Sequence, residues 1–587
     1  MKLGWNNEYS EYIHALYPNP KLKTRSITFQ ITDSCNLKCS YCLTGDTTIL
    51  MSDFSYKEIR DIKVGDNVMG FNLSLINGDW KLIQQLALVK TCFKREVNSL
   101  YHLTTADGHV MKITGNHRVL ISRDAGDTYQ WEEVSKCEPY KTYMIYYGAS
   151  TPSPMGVLIT GLKKVKGNFT VYNIETDTGN YFANNLAVHN CYQINKKTNM
   201  MTKETARACV DLLFDLWNKN DPDSIINHST KALILDYIGG EPLLNVPIMD
   251  FINTYFMERC IELHHPWALT WRASICSNGL NYFNQDFQDY LKKWGHKTSF
   301  AITLDGPQEI HDECRKDYNG KGSFARAYSA SVAHKAKYGD KSLSTKITLA
   351  PENINKMGNI LDFFLKENYY EINGNPAFEP KWTYEHARIY YDNLKKFADR
   401  LLNEDREIHT NLFMNFIGKP IPSFDLQNNC GGQGEMLAFD TQGIAYPCLR
   451  FMPSSLGDSV PPLIIGSAQE GLYSTKEQRL VGEMLKKVNR RTKSSDECFN
   501  CPIASGCMDC AGWNYQENGT VNSRSTNICP MHKARVLANC YYWNMKEQGS
   551  FPLNLSDEES LKIVSPAELA MLKSLSTKKK FDFLFKI

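Results

Sequence analysis

No run along the 587 residues approaches the eighteen or so consecutive apolar side chains that span a bilayer. The opening stretch, MKLGWNNEYSEYIHALYPNP, lacks the apolar centre of a secretion signal. Neither sign of charge prevails, with 66 Lys and Arg against 64 Asp and Glu, so no field gathers nucleic acid or an anionic membrane. These absences leave a soluble, cytoplasmic protein with no nucleic-acid and no membrane partner as the expectation. The length is too great for one hydrophobic core and points to about three domains. In a reducing compartment the eighteen cysteines would stay thiols, which excludes a disulfide framework and favours metal ligation. Their spacing agrees. Cys35, Cys39 and Cys42 fall within eight residues, and seven more crowd from Cys448 to Cys540.

Outside one interruption, short apolar strands alternate with amphipathic helical stretches, beginning at the strand SITFQIT (26–32). Later strands read ALILDYI, LTWRASI, SFAITL and TKITLA, with helices such as TKETARACVDLLFDLWNK and VPIMDFINTYFMERCIEL between them. A helix near 354–368, a strand near 371–378 and a helix near 383–403 complete six strand-helix units. Repeated units of this kind imply a parallel sheet with helices outside and a site at the carboxyl ends of the strands. From 42 to 190 the helical period gives way to polar, turn-rich pieces such as VYNIETDTGNYF, which mark a separate all-β unit. The expected fold class is therefore α/β with an all-β insert and a cysteine-rich C-terminal part.

CNLKCSYC sets Cys35, Cys39 and Cys42 on the loop after the first strand. Three thiolates on a short loop can hold three irons of a 4Fe-4S cube and leave the fourth open, whereas a partial zinc site is the plainer alternative. The spacing, with the aromatic Tyr41 before the last cysteine, resembles that of the radical S-adenosylmethionine (SAM) superfamily. Gly239, Gly240 and Glu241 in YIGGEPLL are similar to that family's second-strand motif, which contacts the methionine amino group of SAM through backbone and carboxylate. SICSNG, with Ser277 and Asn278, and LDGPQEIHDECR, ending at Arg315, resemble the next two landmarks of its peptide-modifying branch. Arg315 suits the methionine carboxylate because its guanidinium is a planar fork. The plainer readings are a turn for the glycine pair and a surface salt bridge for Arg315. The resemblance implies a partial (βα)6 barrel.

CLTGDTTIL at Cys42 and AVHNC ending at Cys191 look like the two junctions of an intein. Cys42 can accept the Tyr41 acyl group by an N-to-S shift, Cys191 can attack that thioester, and Asn190 can cyclise with His189 as proton donor. TGNH supplies Thr114 and His117 in the spacing that in inteins polarises the upstream scissile amide. Nothing in the segment resembles the acidic motifs of a homing endonuclease, so a mini-intein is expected. Asn173 stands where many inteins have aspartate and Asn180 where many have histidine; neither asparagine exchanges protons near neutrality. Excision of 42–190 would join Tyr41 to Cys191 and read CNLKCSYCYQINK, so Cys191 inherits the third cluster position.

CGGQGEMLAFDTQGIAYPC, CFNCPIASGCMDC and Cys529 resemble the SPASM pattern of radical SAM enzymes that modify peptides; a zinc ribbon is the alternative. The family's interleaved ligation implies one auxiliary 4Fe-4S cluster on Cys498, Cys501, Cys507 and Cys529, and a second on Cys430, Cys448 and Cys510. The second lacks a ligand that Cys540, water or a substrate thiol could supply. The domains expected are 1–41 and 191–405 for the barrel, 42–190 for the intein, 406–545 for the SPASM part and 546–587 for a tail. Cofactors implied are SAM and three 4Fe-4S clusters; partners implied are a peptide or protein substrate and an electron donor such as a flavodoxin or ferredoxin. The activity implied is reductive cleavage of SAM to a 5′-deoxyadenosyl radical that modifies a peptide, with thioether formation as one outcome. A sulfatase maturase making formylglycine ranks second, because Leu449 and not an aspartate follows Cys448. A metal-binding interaction protein with an inactive barrel is the reading from another class. Cys92, Cys137, Cys209, Cys260, Cys276 and Cys314 are expected to be buried apolar residues.

Overall fold

The computed structural model describes residues 23–35, 43–76, 79–115, 117–124, 129–149, 151, 153–189, 199–317, 321–339, 342–351, 353–404, 408–427, 430–456, 460–547, 549 and 551–577. Six strands pair in parallel: Thr24–Gln30, Ala232–Ile238, Trp271–Ser277, Thr298–Ile302, Leu343–Leu349 and Glu371–Pro376. They follow chain order across the sheet, as successive right-handed strand-helix-strand units do. The helices cover one face. Tyr237, for example, donates its hydroxyl to Asn253 of the helix Val246–Glu262 at 2.6 Å. The alternate residues of the same strands face the opposite, concave side. Two of the helices carry a clear start signal: Thr202 caps Lys203–Lys219, and Thr383 closes a capping box with His386 at the head of Tyr384–Asn403.

The sheet does not stop at the barrel. Met436–Phe439 pairs in parallel with the free edge of Thr24–Gln30, and three short antiparallel strands extend it to ten. Phe29 and Phe439 meet with ring centroids 5.8 Å apart. One apolar core runs from Ile27 to Leu572 across residue 405, so the cysteine-rich part expected as a separate unit from 406 shares sheet and core with the barrel.

The segment 546–587, expected to be a tail, carries two helices, Asp557–Leu561 and Pro566–Thr577. Tyr384 and Tyr391 of the last barrel helix donate to Glu559 and Glu568, each at 2.6 Å, and Leu572 is fully buried. The KKKFDFLFKI terminus lies outside the described residues beyond Thr577.

The insert forms its own twelve-stranded sheet from Leu43 to His189. Two long strands, Asp79–Thr105 and Met155–Thr176, pair antiparallel along most of their length. Its buried apolar clusters draw only on residues between Leu43 and Val188, and the barrel core holds none of them. Two cores that share no residue are the mark of two folding units.

Leu572→Ala should cost about 3 kcal/mol by emptying a closed site in the barrel core. Urea unfolding of the full chain measures it; a loss below about 0.5 kcal/mol would mean that the last helix lies outside the cooperative core.

Candidate active site

After the first strand the chain runs through Thr32, Asp33 and Ser34 to Cys35, which is partly exposed. Cys39, Tyr41, Cys42, Asn190 and Cys191 lie outside the described residues, and the loop expected to bear the cluster is therefore seen only at its base. That base is held by the glycine pair. Gly240 N–H donates to Thr32 O at 3.1 Å and Glu241 N–H to Ser34 O at 2.8 Å. A Cβ at Gly239 would stand 2.5 Å from Thr32 O, and one at Gly240 only 2.2 Å from Ser34 O. Both positions need glycine because another backbone passes there.

Glu241 is 1% exposed. Its Oε1 accepts from Ser277 Oγ at 2.7 Å and Leu243 N at 3.0 Å, and its Oε2 from Asn278 N at 2.8 Å. Burial raises its pKa, against the pull of these donors and of Arg315. The carboxylate thus ties the end of the second strand to the Ser277–Asn278 turn after the third, an occupation that the motif's expected contact with a ligand amine leaves out. Oε2 takes one described donor, and a carboxylate oxygen can accept two.

Arg315 caps the helix Gln308–Cys314 and pairs through Nε with Asp305. Ser323 Oγ donates to Arg315 O at 2.8 Å and meets His311 Nε2 at 3.0 Å. Burial lowers the His311 pKa to about 4, so it is neutral at pH 7 and acts as a fixed hydrogen-bonding strut. The fold brings Gly239, Gly240, Glu241, Ser277 and Asn278 together at the carboxyl ends of adjacent strands, and Arg315 is close enough to bias Glu241.

Polar side chains missed in the sequence line the concave face. Thr28, Asp236 and Ser274 are neighbours in register on three strands. Burial raises the Asp236 pKa, opposed by a Ser274 hydrogen bond and by Lys346 and Arg272. Cys276, expected to be an inert core thiol, lies on this face with Sγ 3.9 Å from Thr303 Oγ1, and burial raises its pKa. The available signal was polar residues at every second position in strands of a parallel sheet, which ordinarily read as continuous apolar runs.

The C-terminal thiols fall into two groups. Cys430 and Cys448 point at one spot, their sulfurs 3.6 and 3.0 Å from where a Cβ on Gly432 would stand. Both are raised by burial and both feel the charge of Cys510. The second group is Cys498, Cys501, Cys507 and Cys529. Burial raises Cys507 to about 12, and raises Cys501 and Cys529, with neighbouring thiols of the group adding to each rise. Cys540 belongs to neither. It is fully buried in the helix Cys529–Glu547, where Asn544 Nδ2 donates to its sulfur at 3.4 Å. Among the described residues no three His, Cys, Asp or Glu side chains converge on a point that one metal ion could fill. Thiols grouped in this way could serve either the separate irons of a cube or a tetrahedral zinc.

Between the groups lies a buried ion triad. Asp509 pairs with Lys493, with Arg524 Nε 3.9 Å from its other oxygen, and the lysine and aspartate are 3% and 8% exposed. Burial works against the Asp509 charge, but Arg524, Lys493 and Asn514 hold its carboxyl below the usual range.

In the insert, Leu43, the residue after Cys42, pairs with Ile113, and Val188 pairs with Val119. The buried Thr114–His117 turn, closed by a 3.0 Å bond from His117 N to Thr114 O, therefore runs from the strand beside one junction to the strand beside the other. His189 ends the strand Leu186–His189. Asn173 Oδ1 accepts from Tyr181 Oη at 2.7 Å, and Asn180 exchanges two bonds with the Phe71 backbone at 2.8 and 3.0 Å. Both asparagines brace strands.

Lys493→Met leaves Asp509 short of a partner in a dry site and should cost about 3 kcal/mol. Adding Asp509→Asn should recover part of that loss. Equal loss in the single and the double variant, by urea unfolding, would show that the triad does not act as a unit.

No protein-family model matches the chain. Curated relatives include an uncharacterized protein of Synechocystis sp., 23% identical over 51% of this chain and 76% of its own length. A serine-type anaerobic sulfatase-maturating enzyme of Bacteroides thetaiotaomicron is 28% identical over 24% of this chain, which spans 31% of that enzyme. The radical SAM cyclopropyl synthase TigE of Paramaledivibacter caminithermalis is 21% identical over 59% of this chain and 66% of its own. Among solved structures, native anSMEcpe with bound AdoMet and Kp18Cys peptide has a TM-score of 0.43 at 14% identity, covering 61% of this chain and 93% of that one. A DnaB intein from Synechocystis sp. PCC 6803 has a TM-score of 0.22 at 20% identity, covering 26% of this chain and 99% of that one. The curated relatives thus include one named as a sulfatase-maturating enzyme and one named as a radical SAM cyclopropyl synthase, and inteins are among the similar solved structures.

Proposed function

We propose that the mature chain is a radical SAM peptide maturase, released by self-splicing of the 42–190 insert. The observation that carries this reading is a coincidence of two chemistries at one position. The cysteine that would follow excision, Cys191, restores the third thiol of CNLKCSYC on a loop whose base the Gly239–Glu241 turn holds at the end of the first strand.

Cys35, Cys39 and Cys191 would hold the barrel cluster, with Cys42 in the third place before splicing. Cys498, Cys501, Cys507 and Cys529 would hold one auxiliary cluster, and Cys430, Cys448 and Cys510 the other. When bound, clusters and SAM supply the one-electron chemistry, giving methionine and a 5′-deoxyadenosyl radical that takes hydrogen from a peptide. The chain's own part is to bind and orient. Gly239 and Gly240 fix the loop, Glu241 braces the Ser277–Asn278 turn, and Arg315 offers a planar cation for a carboxylate. The concave face, with Asp236, Arg272 and Lys346, is charged and suits a polar peptide. A flavodoxin or ferredoxin would deliver the electron. With Cys540 apart, the Cys430 group keeps an open position that a substrate thiol could fill, as thioether formation would use. The formylglycine reading has a relative in its favour but lacks the aspartate after Cys448.

Splicing would begin with transfer of the Tyr41 acyl group to the Cys42 sulfur, aided by Thr114 and His117. Cys191 then displaces Cys42, and Asn190 closes on its own carbonyl with His189 donating a proton, which frees the Cys191 amine for the final S-to-N shift.

Anaerobic expression followed by intact mass should resolve the excised 42–190 segment and a ligated product. The purified product, reduced in the presence of SAM, should form 5′-deoxyadenosine, and Cys35→Ala should abolish this while leaving the auxiliary-cluster spectrum in place. Bound clusters without any 5′-deoxyadenosine would turn the reading to a metal-binding interaction protein.

A further inference from the structure

The residues on either side of the insert-bearing loop are joined to each other in the unspliced chain. Met201 N donates to Ile31 O and Asp33 N to Asn199 O, both at 3.0 Å, around an antiparallel bridge between Thr32 and Met200. Asn245 Nδ2 reinforces the seam with a 2.8 Å bond to Ile31 O, and Gly240 N holds Thr32 O from the next strand. Upstream, Thr24–Gln30 lies between Ala232–Ile238 and Met436–Phe439, both contributed by the chain beyond the insert.

We propose that the host barrel splints its own splice junction, with Asp33, Gly240 and Asn245 as positioning residues for ligation. The proposal rests on the splicing reading above. Once the Tyr41 acyl group sits on Cys42 sulfur, segment 1–41 is attached through a thioester that water can also cleave. Ligation requires the Cys191 thiolate to attack the same acyl carbon, form its own thioester and release Cys42 as a thiol; hydrolysis adds water and leaves a free carboxylate at Tyr41. Which reaction wins depends on how near the two host ends are held, because a short tether converts an encounter into an intramolecular step. The insert fixes its own ends, Leu43 beside Ile113 and Val188 beside Val119. The bridge fixes the host ends, so that both sides of the exchange are anchored. The same bridge would close the cluster loop of the ligated product, and its geometry is set before the peptide bond that completes that loop.

The test follows the full chain by intact mass over time and reads the ratio of the cleaved 1–41 fragment to ligated product. Asp33→Pro deletes the donor to Asn199, and Gly240→Ala drives a methyl against Ser34 O. Asn245→Ala is the gentler variant, removing one bond. Each should raise the ratio, by about tenfold for the first two, while Ile360→Ala, a cavity in the barrel core away from the seam, should leave it at the parent value. An unchanged ratio in Asn245→Ala and Asp33→Pro overturns the splint, as does an equal rise in Ile360→Ala, which would make the effect one of general stability. A parent chain that neither ligates nor cleaves removes the splicing reading itself, and the splint with it.

Discussion

The placement of Thr24–Gln30 as an interior strand governs the rest of the molecule. Its hydrogen bonds on one edge go to Ala232–Ile238 and on the other to Met436–Phe439. Over Ser26–Phe29 the strand has a neighbour on both edges, so there it has no solvated edge. Ile27 and Phe29 are fully buried between the flanking layers, each contributing about 2 kcal/mol of burial. The strand therefore has one register, and the loop that leaves it starts from a fixed point. Barrel and cysteine-rich part are coupled through it, because both use it as a neighbour.

The polar interior is built by the same economy. Glu241 loses water on burial and recovers it as three donors from the Leu243 and Ser277–Asn278 segments. Asp509 does so with Lys493 and Arg524. In each case a buried charge is tolerable because its partners come from separate pieces of chain, and the charge in turn fixes those pieces relative to each other. The thiol groups follow a different rule. Burial keeps Cys448 and Cys507 protonated at neutral pH, near 12, so metal binding there must release protons.

Much of this was legible in the sequence. The strand-helix alternation could be read because each helix carries an apolar stripe, and the motifs sit at strand ends where the fold puts them. The insert could be read because polar, turn-rich pieces replace the helical period over 42–190 and its two ends carry matching junction residues. The role of the Glu241 carboxylate could not, since two of its three donors arrive from 36 and 37 residues away. Nor could the pairing of Met436–Phe439 with the first strand, since four residues of MLAF say nothing about a partner four hundred positions earlier. The last two helices had signals, Ser556 before Glu559 and Pro566 at a helix start, yet the lysine-rich end made the segment read as a tail. Polar residues on the concave barrel face were visible as an irregularity in apolar strands. Their meaning required knowing which face the helices cover.

The separation of the two cores has a consequence for heredity. An insert that shares no buried residue with its host places no burden on the host's folding, so selection has little purchase on it through stability. Its position is another matter. A deletion of 42–190 leaves CNLKCSYCYQ, but one that takes Cys191 as well erases the third thiol of the loop. Loss of the element would therefore be constrained at its downstream edge by the cysteine that follows it.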